Sequence, residues 1–319
     1  MLITRFVAGI VSAILLVLAA GVVSGQDYPT KPIRIAVSAP GSGSDFTARI
    51  VAQISGSLGQ PVVMEYRGAG ILTADYVSKA PPDGYTLIVS GPVFWIAPLM
   101  LKTPYDTVRD FSPISLIVRE VSVFALHPSV PVKSVKELIA LAKARPGELN
   151  YASSGTGSNT HLAAELFKSM AGVNIVHVPY MGTSPAITSL ISGETQLYIT
   201  DTGLVAPHVK SGKLRALAVT SAAPSALAPG LPTVAASGVP GYEAVAMTGI
   251  WAPAKTPGAI IARLNQEIVR VLNLPDVKEK FLNAGAEVVG SSPEQLAATI
   301  KSEIAKISKV IKDAGIKTN

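Results

Sequence analysis

"IRIAVSAPGSGSDFTARI" (Ile33–Ile50) runs from β-branched residues through a glycine–serine loop into an amphipathic helical pattern. Far downstream, "LNYASSGTGSNTHLAAEL" (Leu149–Leu166) repeats that order. Both loops carry G-[ST]-G-S-[DN], as Gly41-Ser42-Gly43-Ser44-Asp45 and Gly155-Thr156-Gly157-Ser158-Asn159. A strand that enters a helix through a glycine loop is the building unit of an α/β sheet. Two copies so far apart predict two such sheets.

The rest of the chain supplies their partners. After the first loop, Phe46, Ile50, Val51, Ile54 and Leu58 recur at helical spacing. "VVMEY" (Val62–Tyr66) and "YTLIVS" (Tyr85–Ser90) read as strands around a short helix near Thr73–Lys79. "FSPISLIVREVSVFALHP" (Phe111–Pro128) is a long extended crossing. A helix over Ser134–Arg145 stops at Pro146-Gly147, and the helix after the second loop buries Leu162, Leu166, Phe167 and Met170. "NIVHVPY" (Asn174–Tyr180), "QLYITD" and "LRALAVTS" complete the second sheet, with a helix from Pro185 to Gly193 between the first two. A Pro/Ala/Gly-rich loop (Ala223–Gly241) precedes a second extended crossing, "EAVAMTGIWAPA" (Glu243–Ala254). One C-terminal helix starts at Thr256-Pro257. Another starts at the capping box Ser292–Gln295 and lines up Leu296, Ile300, Ile304, Ile307 and Ile311. Two α/β lobes with two crossings form a hinged clamp, its hinges near Ser122 and Thr248.

Each loop opens a helix, where unpaired amides and the helix dipole attract anions. Glycines admit close approach and hydroxyls add donors. One loop per lobe suits a small molecule with a carboxylate at each end. For either loop alone, plain helix capping by Ser44, Asp45, Ser158 or Asn159 is the better reading, and only the repeat of the pattern at both turns brings the two readings level. A bulky residue at Gly43 or Gly157 should abolish binding if the loops hold the anion.

Enzyme chemistry finds no support. Phe46 and Thr160 stand where G-x-G-x-x-G needs its third glycine, and neither a nucleotide P-loop nor a G-x-S-x-G elbow occurs. The missing elbow argues against a secreted α/β hydrolase. His127, His161, His177 and His208 stand apart in sequence with no metal-ligand spacing. No catalytic residue, metal or cofactor is expected. His161, in the first turn of its helix, and Asp201, at a strand end, are candidates to face the cleft.

With 319 residues, 48% hydrophobic and 15% charged, the chain reads as well-buried and globular. Residues 1–25 read as an export signal: Arg5, an apolar run from Phe6 to Val23, and small residues before a cleavage near Gly25-Gln26. Cysteine is absent, which removes disulfides and thiolate chemistry. The remaining chain has 26 basic against 21 acidic residues, a net +5 without a basic stripe, so nucleic acid is not an expected partner.

Six segments together carry a family likeness: "YPTKPIRIAVSAPGSGSDFTARIVAQ", "KAPPDGYTLIVSG", "YDTVRDFSPISLI", "LNYASSGTGSNTHLAAELF", "HVPYMGTSPAITSLISGETQLYITD" and "PTVAASGVPGYE". In this order the chain resembles the substrate-binding proteins of tripartite tricarboxylate transporters, the Bug-type receptors. The resemblance implies a type II periplasmic binding-protein fold that closes on a small carboxylated ligand. It implies delivery to membrane permease subunits, a monomer, and no catalysis; a receptor that serves signalling instead would have the same sequence features. Expected lobes are 26–122 plus 248–319, and 123–247. Carried over by position, the site comprises Pro40, Gly41, Ser42, Gly43, Ser44, Asp45, Ser153, Ser154, Gly155, Thr156, Gly157, Ser158, Asn159 and His161, completed by Tyr180, Met181, Gly182, Thr183 and Asp201.

Three departures bear on the ligand. Ser42 replaces a family glycine, Met181 stands where Lys or Arg is common, and "GPVFWIAP" replaces a polar segment. If Phe94 and Trp95 face the cleft, the pocket suits an aromatic or long aliphatic acid. If they pack beneath the loop, they are core.

Overall fold

The computed structural model describes residues 28–316; the export signal expected over residues 1–25 lies outside the described residues. The first lobe begins β1 (Ile33–Val37), α1 (Gly43–Val51, prolonged by short turns to Leu58), β2 (Val62–Tyr66), α2 (Gly70–Ser78), β3 (Thr86–Ser90) and α3 (Val93–Met100). β4 (Phe111–Leu126) leads into α4 (Val135–Ala144), β5 (Asn150–Ser153), α5 (Asn159–Ala171), β6 (Val176–Pro179), α6 (Thr183–Ser192), β7 (Leu197–Asp201), α7 (Thr202–Lys210) and β8 (Arg215–Val219). β9 (Val245–Pro253), α8 (Gly258–Leu272), α9 (Pro275–Asn283), β10 (Ala286–Val288) and α10 (Pro293–Asp313) close the chain.

The strands lie in the order β2-β1-β3-β9-β4-β7-β5-β6, with β8 and β10 also on β4. β1 pairs in parallel with β2 and β3, and β5 with β6 and β7, as βαβ crossovers require. β4 belongs to both sheets. Its partner β9 runs out at Val121 opposite Val245, and β7 takes over with Ser122 opposite Asp201. The outgoing hinge is therefore at Val121–Ser122, while the return crossing passes at Glu243–Ala244, where the Ala244 amide bonds the Thr220 carbonyl. Thr248, expected at the hinge, pairs with Val118 well inside the first sheet.

Three apolar clusters follow from the patterning. One fills the first lobe around Ile33, Ile35, Leu87, Ile250 and Leu264, and a second the outer face of the other lobe around Tyr198, Leu190 and Val219. The third runs beneath the hinge, joining Trp251 and Phe94 of the first lobe to Phe124 and Phe167 of the second. α10 lays Leu296, Ile300, Ile307 and Ile311 onto this shared core and packs on β4, α5 and α3. It straddles both lobes, where the sequence placed it on the first alone. Its 21 residues reach about 32 Å, and its apolar stripe is buried along that length from Leu296 to Ile311.

The segment "VFWIAPL" also differs from its reading. It folds as α3, with Pro98 inside the helix and apolar residues on every side. Phe94 is 0% exposed and packs 4.7 Å from Phe111, 4.8 Å from Trp251 and 5.7 Å from Tyr105, ring centre to ring centre. Phe94 therefore belongs to the core and faces no cleft.

Candidate functional site

The two loops are built alike, but not in the register their sequences suggest. The N-caps are Ser42 and Ser158, whose hydroxyls accept from the amides of Asp45 and His161. Each also donates three residues back, Ser42 Oγ to the Ala39 carbonyl and Ser158 Oγ to the Gly155 carbonyl. The preceding glycines, Gly41 and Gly157, have φ of 75° and 79°, a left-handed conformation that glycine adopts without strain. Their amides donate to the Asp45 carboxylate at 2.8 Å and to His161 Nδ1 at 2.9 Å. Gly41-Ser42-Gly43-Ser44-Asp45 thus corresponds to Gly157-Ser158-Asn159-Thr160-His161, two residues later than the shared glycine–serine pattern. Ser44 is not a cap.

The difference at the last position decides the electrostatics. In the first loop the helix N-terminus already holds an anion, Asp45. Burial alone would raise its pKa, but the Gly41 amide, Arg49 and Tyr66 outweigh that and hold its carboxyl below the usual range. In the second loop the same place holds an imidazole that must accept at Nδ1. Burial, together with His177, pushes His161 down to about 4. The rings of His161 and His177 stack 4.0 Å apart with Tyr151 alongside, and Ser153 Oγ lies 2.7 Å from His177 Nε2. Tyr151 and Lys168 both donate to the buried Glu165 below the stack, at 2.5 and 2.6 Å. Two of the histidines that stand apart in sequence, His161 and His177, form one support beneath the loop.

This support makes a pH prediction. His161 is depressed below its unfolded value of about 6.5, so the unfolded chain takes up the proton first and stability falls with acidity. The His161 contribution should be complete above about pH 6.5 and vanish as pH falls towards 4. Melting temperature measured from pH 7.5 to 4 should show that decline. His161→Gln, which keeps an acceptor but does not titrate, should flatten it.

A cavity of about 630 Å³ opens between the lobes. Its lobe-two wall holds Ser154, Thr156, Gly157, Ser158, Asn159 and Thr160, with Thr183 beside them. Two helix N-termini converge here, because the Gly182 amide bonds the Ser154 carbonyl at 3.2 Å and the Tyr180 amide the Ser153 carbonyl at 3.0 Å. The Asn159 and Thr160 amides have no protein acceptor among the described residues. Hydroxyls of Ser154, Ser158 and Thr160 cluster within 3.1 Å of one another through Thr160 Oγ1. Much of the remaining lining is apolar: Trp95, Ile96 and Met100 from α3, Leu162 and Leu166 from α5, and Ile307 from α10. At the hinge stand Glu120, Ser122 and Asp201, with Glu243, Glu303 and Lys306 nearby.

Of the residues expected at the site, Trp95, Ser154, Thr156, Gly157, Ser158, Asn159, Thr183 and Asp201 line this cavity. Pro40, Gly41, Ser42, Gly43, Ser44 and Asp45 do not, and neither does Phe94. Ser153, Gly155, His161, Tyr180 and Gly182 shape the loop from behind, and Met181 is fully exposed to solvent. Sequence reading missed Met100, Glu120, Ser122 and the α10 residues. Glu120 and Ser122 share a strand face with spacing of two, a visible signal, but only the hinge position turns that face to the cavity.

Residues 47–316 match the family model described as the tripartite tricarboxylate transporter family receptor. Protein BugT of Bordetella pertussis is 36% identical over 302 residues, covering 92% of this chain and 93% of that protein. Among solved structures, R. palustris Rpa4515 with adipate is 37% identical with a TM-score of 0.72, over 91% of this chain and 99% of that one. The periplasmic binding protein BugD is 31% identical with a TM-score of 0.69, over 92% and 100%. The two-lobed binding-protein fold, the ligand-sized cavity between the lobes and the match across 47–316 agree: the chain belongs to the tripartite tricarboxylate transporter receptor family, whose members bind solutes and are not enzymes.

Proposed function

We propose that this protein is an exported receptor that captures an organic acid between its lobes and hands it to the permease subunits of a tripartite tricarboxylate-type transporter. The observation that carries the reading is the pair of open amides at Asn159 and Thr160. They stand at one polar edge of a cavity whose lining from α3 and α5 is largely apolar. A carboxylate there accepts from both amides and from the hydroxyls of Ser154 and Thr183, at the positive ends of α5 and α6. No cation is needed. The apolar wall takes the body of the acid.

Closure follows from the fold. The lobes meet at a hinge of two extended segments, and a ligand touching both favours the closed arrangement by its differential affinity. Rpa4515, solved with adipate, is a related protein whose ligand is an organic acid. The test is a thermal-shift series of mono- and dicarboxylates with aliphatic and aromatic bodies. A true ligand at about 100 times its Kd should stabilise the protein by roughly 2.7 kcal/mol. Uncharged amides of the same acids should do nothing, and equal shifts from acid and amide would refute the carboxylate reading. Trp95 is 2% exposed yet borders the cavity. Trp95→Ala should weaken acids with bulky bodies by about tenfold or more and short acids far less, read as Kd by calorimetry.

A further inference from the structure

The hinge end of the cavity differs from the loop end in sign. Glu120 and Ser122 project from the same face of β4, and Asp201 lies opposite Ser122 on β7. Ser122 Oγ is 3.5 Å from Asp201 Oδ1, at the limit of a hydrogen bond. The cations in reach are engaged elsewhere. Lys306 pairs with Glu303 and donates to the Glu243 carbonyl at 3.0 Å, and Arg119 faces the Glu243 carboxylate at 4.0 Å. Among the described residues, neither Glu120 nor Asp201 has a cationic side chain within 4.0 Å. One end of the cavity therefore offers unclaimed donors and the other unclaimed acceptors.

We propose that the acid carried by this receptor also bears an ammonium group, remote from its carboxylate, and that Glu120 and Asp201 select it. The inference rests on the carboxylate reading of the Asn159 loop. A ligand lying along the cavity with its carboxylate on that loop turns its other end toward the hinge. An ammonium there satisfies two carboxylates that otherwise face each other uncompensated, and the Ser122 hydroxyl adds a third acceptor. A second carboxylate in the same place meets like charge, and that repulsion is itself a means of discrimination.

Titration points the same way. Burial and then Asp201 push Glu120 up to about 7, and burial raises Asp201 as well, so the pair holds part of a proton near neutrality. Facing them are Glu243 from the return crossing, and Glu303 and Lys306 from α10. An ammonium ligand should therefore expel the proton on binding, whereas a dicarboxylate should take one up.

The test compares matched straight chains of four to eight carbons at pH 7.5: the ω-amino acids, the α,ω-diacids and the simple fatty acids. Calorimetry in two buffers of different ionisation enthalpy reads affinity and proton exchange together. The best ω-amino acid should bind about tenfold or more tightly than the diacid of its length, with proton release. Glu120→Gln and Asp201→Asn should each erase most of that preference, read as the ratio of the ω-amino acid to the diacid of its length. A diacid that binds as well as or better than its ω-amino counterpart overturns the inference, as does a preference that survives both substitutions. Fatty acid binding with no discrimination sinks this inference alone. Failure of every carboxylate, fatty acids included, overturns the underlying reading as well.

Discussion

Gly157→Val should abolish ligand binding, and Gly43→Ala should leave it intact. The two glycines hold equivalent places in the shared glycine–serine pattern, so from sequence both substitutions should be damaging. Structure separates them. Gly157 has φ of 79°, which costs an L-residue roughly 1–2 kcal/mol. A Cβ there would stand 2.5 Å from Met100 Cε and 2.9 Å from its Sδ, so the Met100 side chain would be driven aside across the cavity. The same change disturbs the amide that His161 holds and hence the direction of the Asn159 and Thr160 donors. Affinity for any carboxylate should drop by on the order of 100-fold or more, with a modest fall in melting temperature from the strain. Gly43 has no positive φ, nothing within 4 Å of its would-be Cβ, and no place in the cavity lining. Calorimetry on both variants decides the matter. Equal losses would restore a second anion loop on the first lobe.

Phe94→Ala should unfold the protein more readily without altering which acids it prefers. Phe94 is the middle of an aromatic group formed with Tyr105, Phe111 and Trp251. Its carbonyl also accepts from Tyr105 Oη at 3.0 Å and from Thr107 Oγ1 at 2.8 Å, which anchors the loop after α3. Truncating a buried phenyl ring costs on the order of 3–5 kcal/mol from lost transfer energy and the cavity left behind. Chemical denaturation should show a loss of that size, with Kd ratios among acids unchanged in the folded protein. A change in the ratio between aromatic and aliphatic acids would place Phe94 at the ligand instead. Trp95, its neighbour in the chain, has the opposite expectation because one edge of it reaches the cavity.

These two cases mark where sequence reading stopped. "GPVFWIAP" was ambiguous because a helix apolar on every side has no face to read. Phe94 and Trp95 are one residue apart, a turn of about 100° on a helix, and that alone sends one wholly into the core and the other to the cavity lining. The glycine–serine repeat was real as a sign of two strand-to-helix turns but misleading in register. Capping is set by which hydroxyl reaches which amide, so Ser42 and Ser158 correspond even though the five-residue patterns align otherwise. His161 and His177 lie 16 positions apart on a helix and a neighbouring strand, so nothing local to either announced their stack.

What the sequence determined by itself was most of the elements, though not α3, α7, α9 or β10, and their grouping into two lobes. Strand alternation, helical periodicity, caps and glycine stops act between residues close in the chain, and "FSPISLIVREVSVFALHP" was too long and too extended to be anything but a crossing. Tertiary structure alone decided which loop borders the cavity, that α10 spans both lobes, and that Glu120, Ser122 and Asp201 meet at the hinge. Those outcomes depend on the packing of apolar faces that are interchangeable when read one at a time. Only when all of them close together does each polar group on their edges acquire its neighbours.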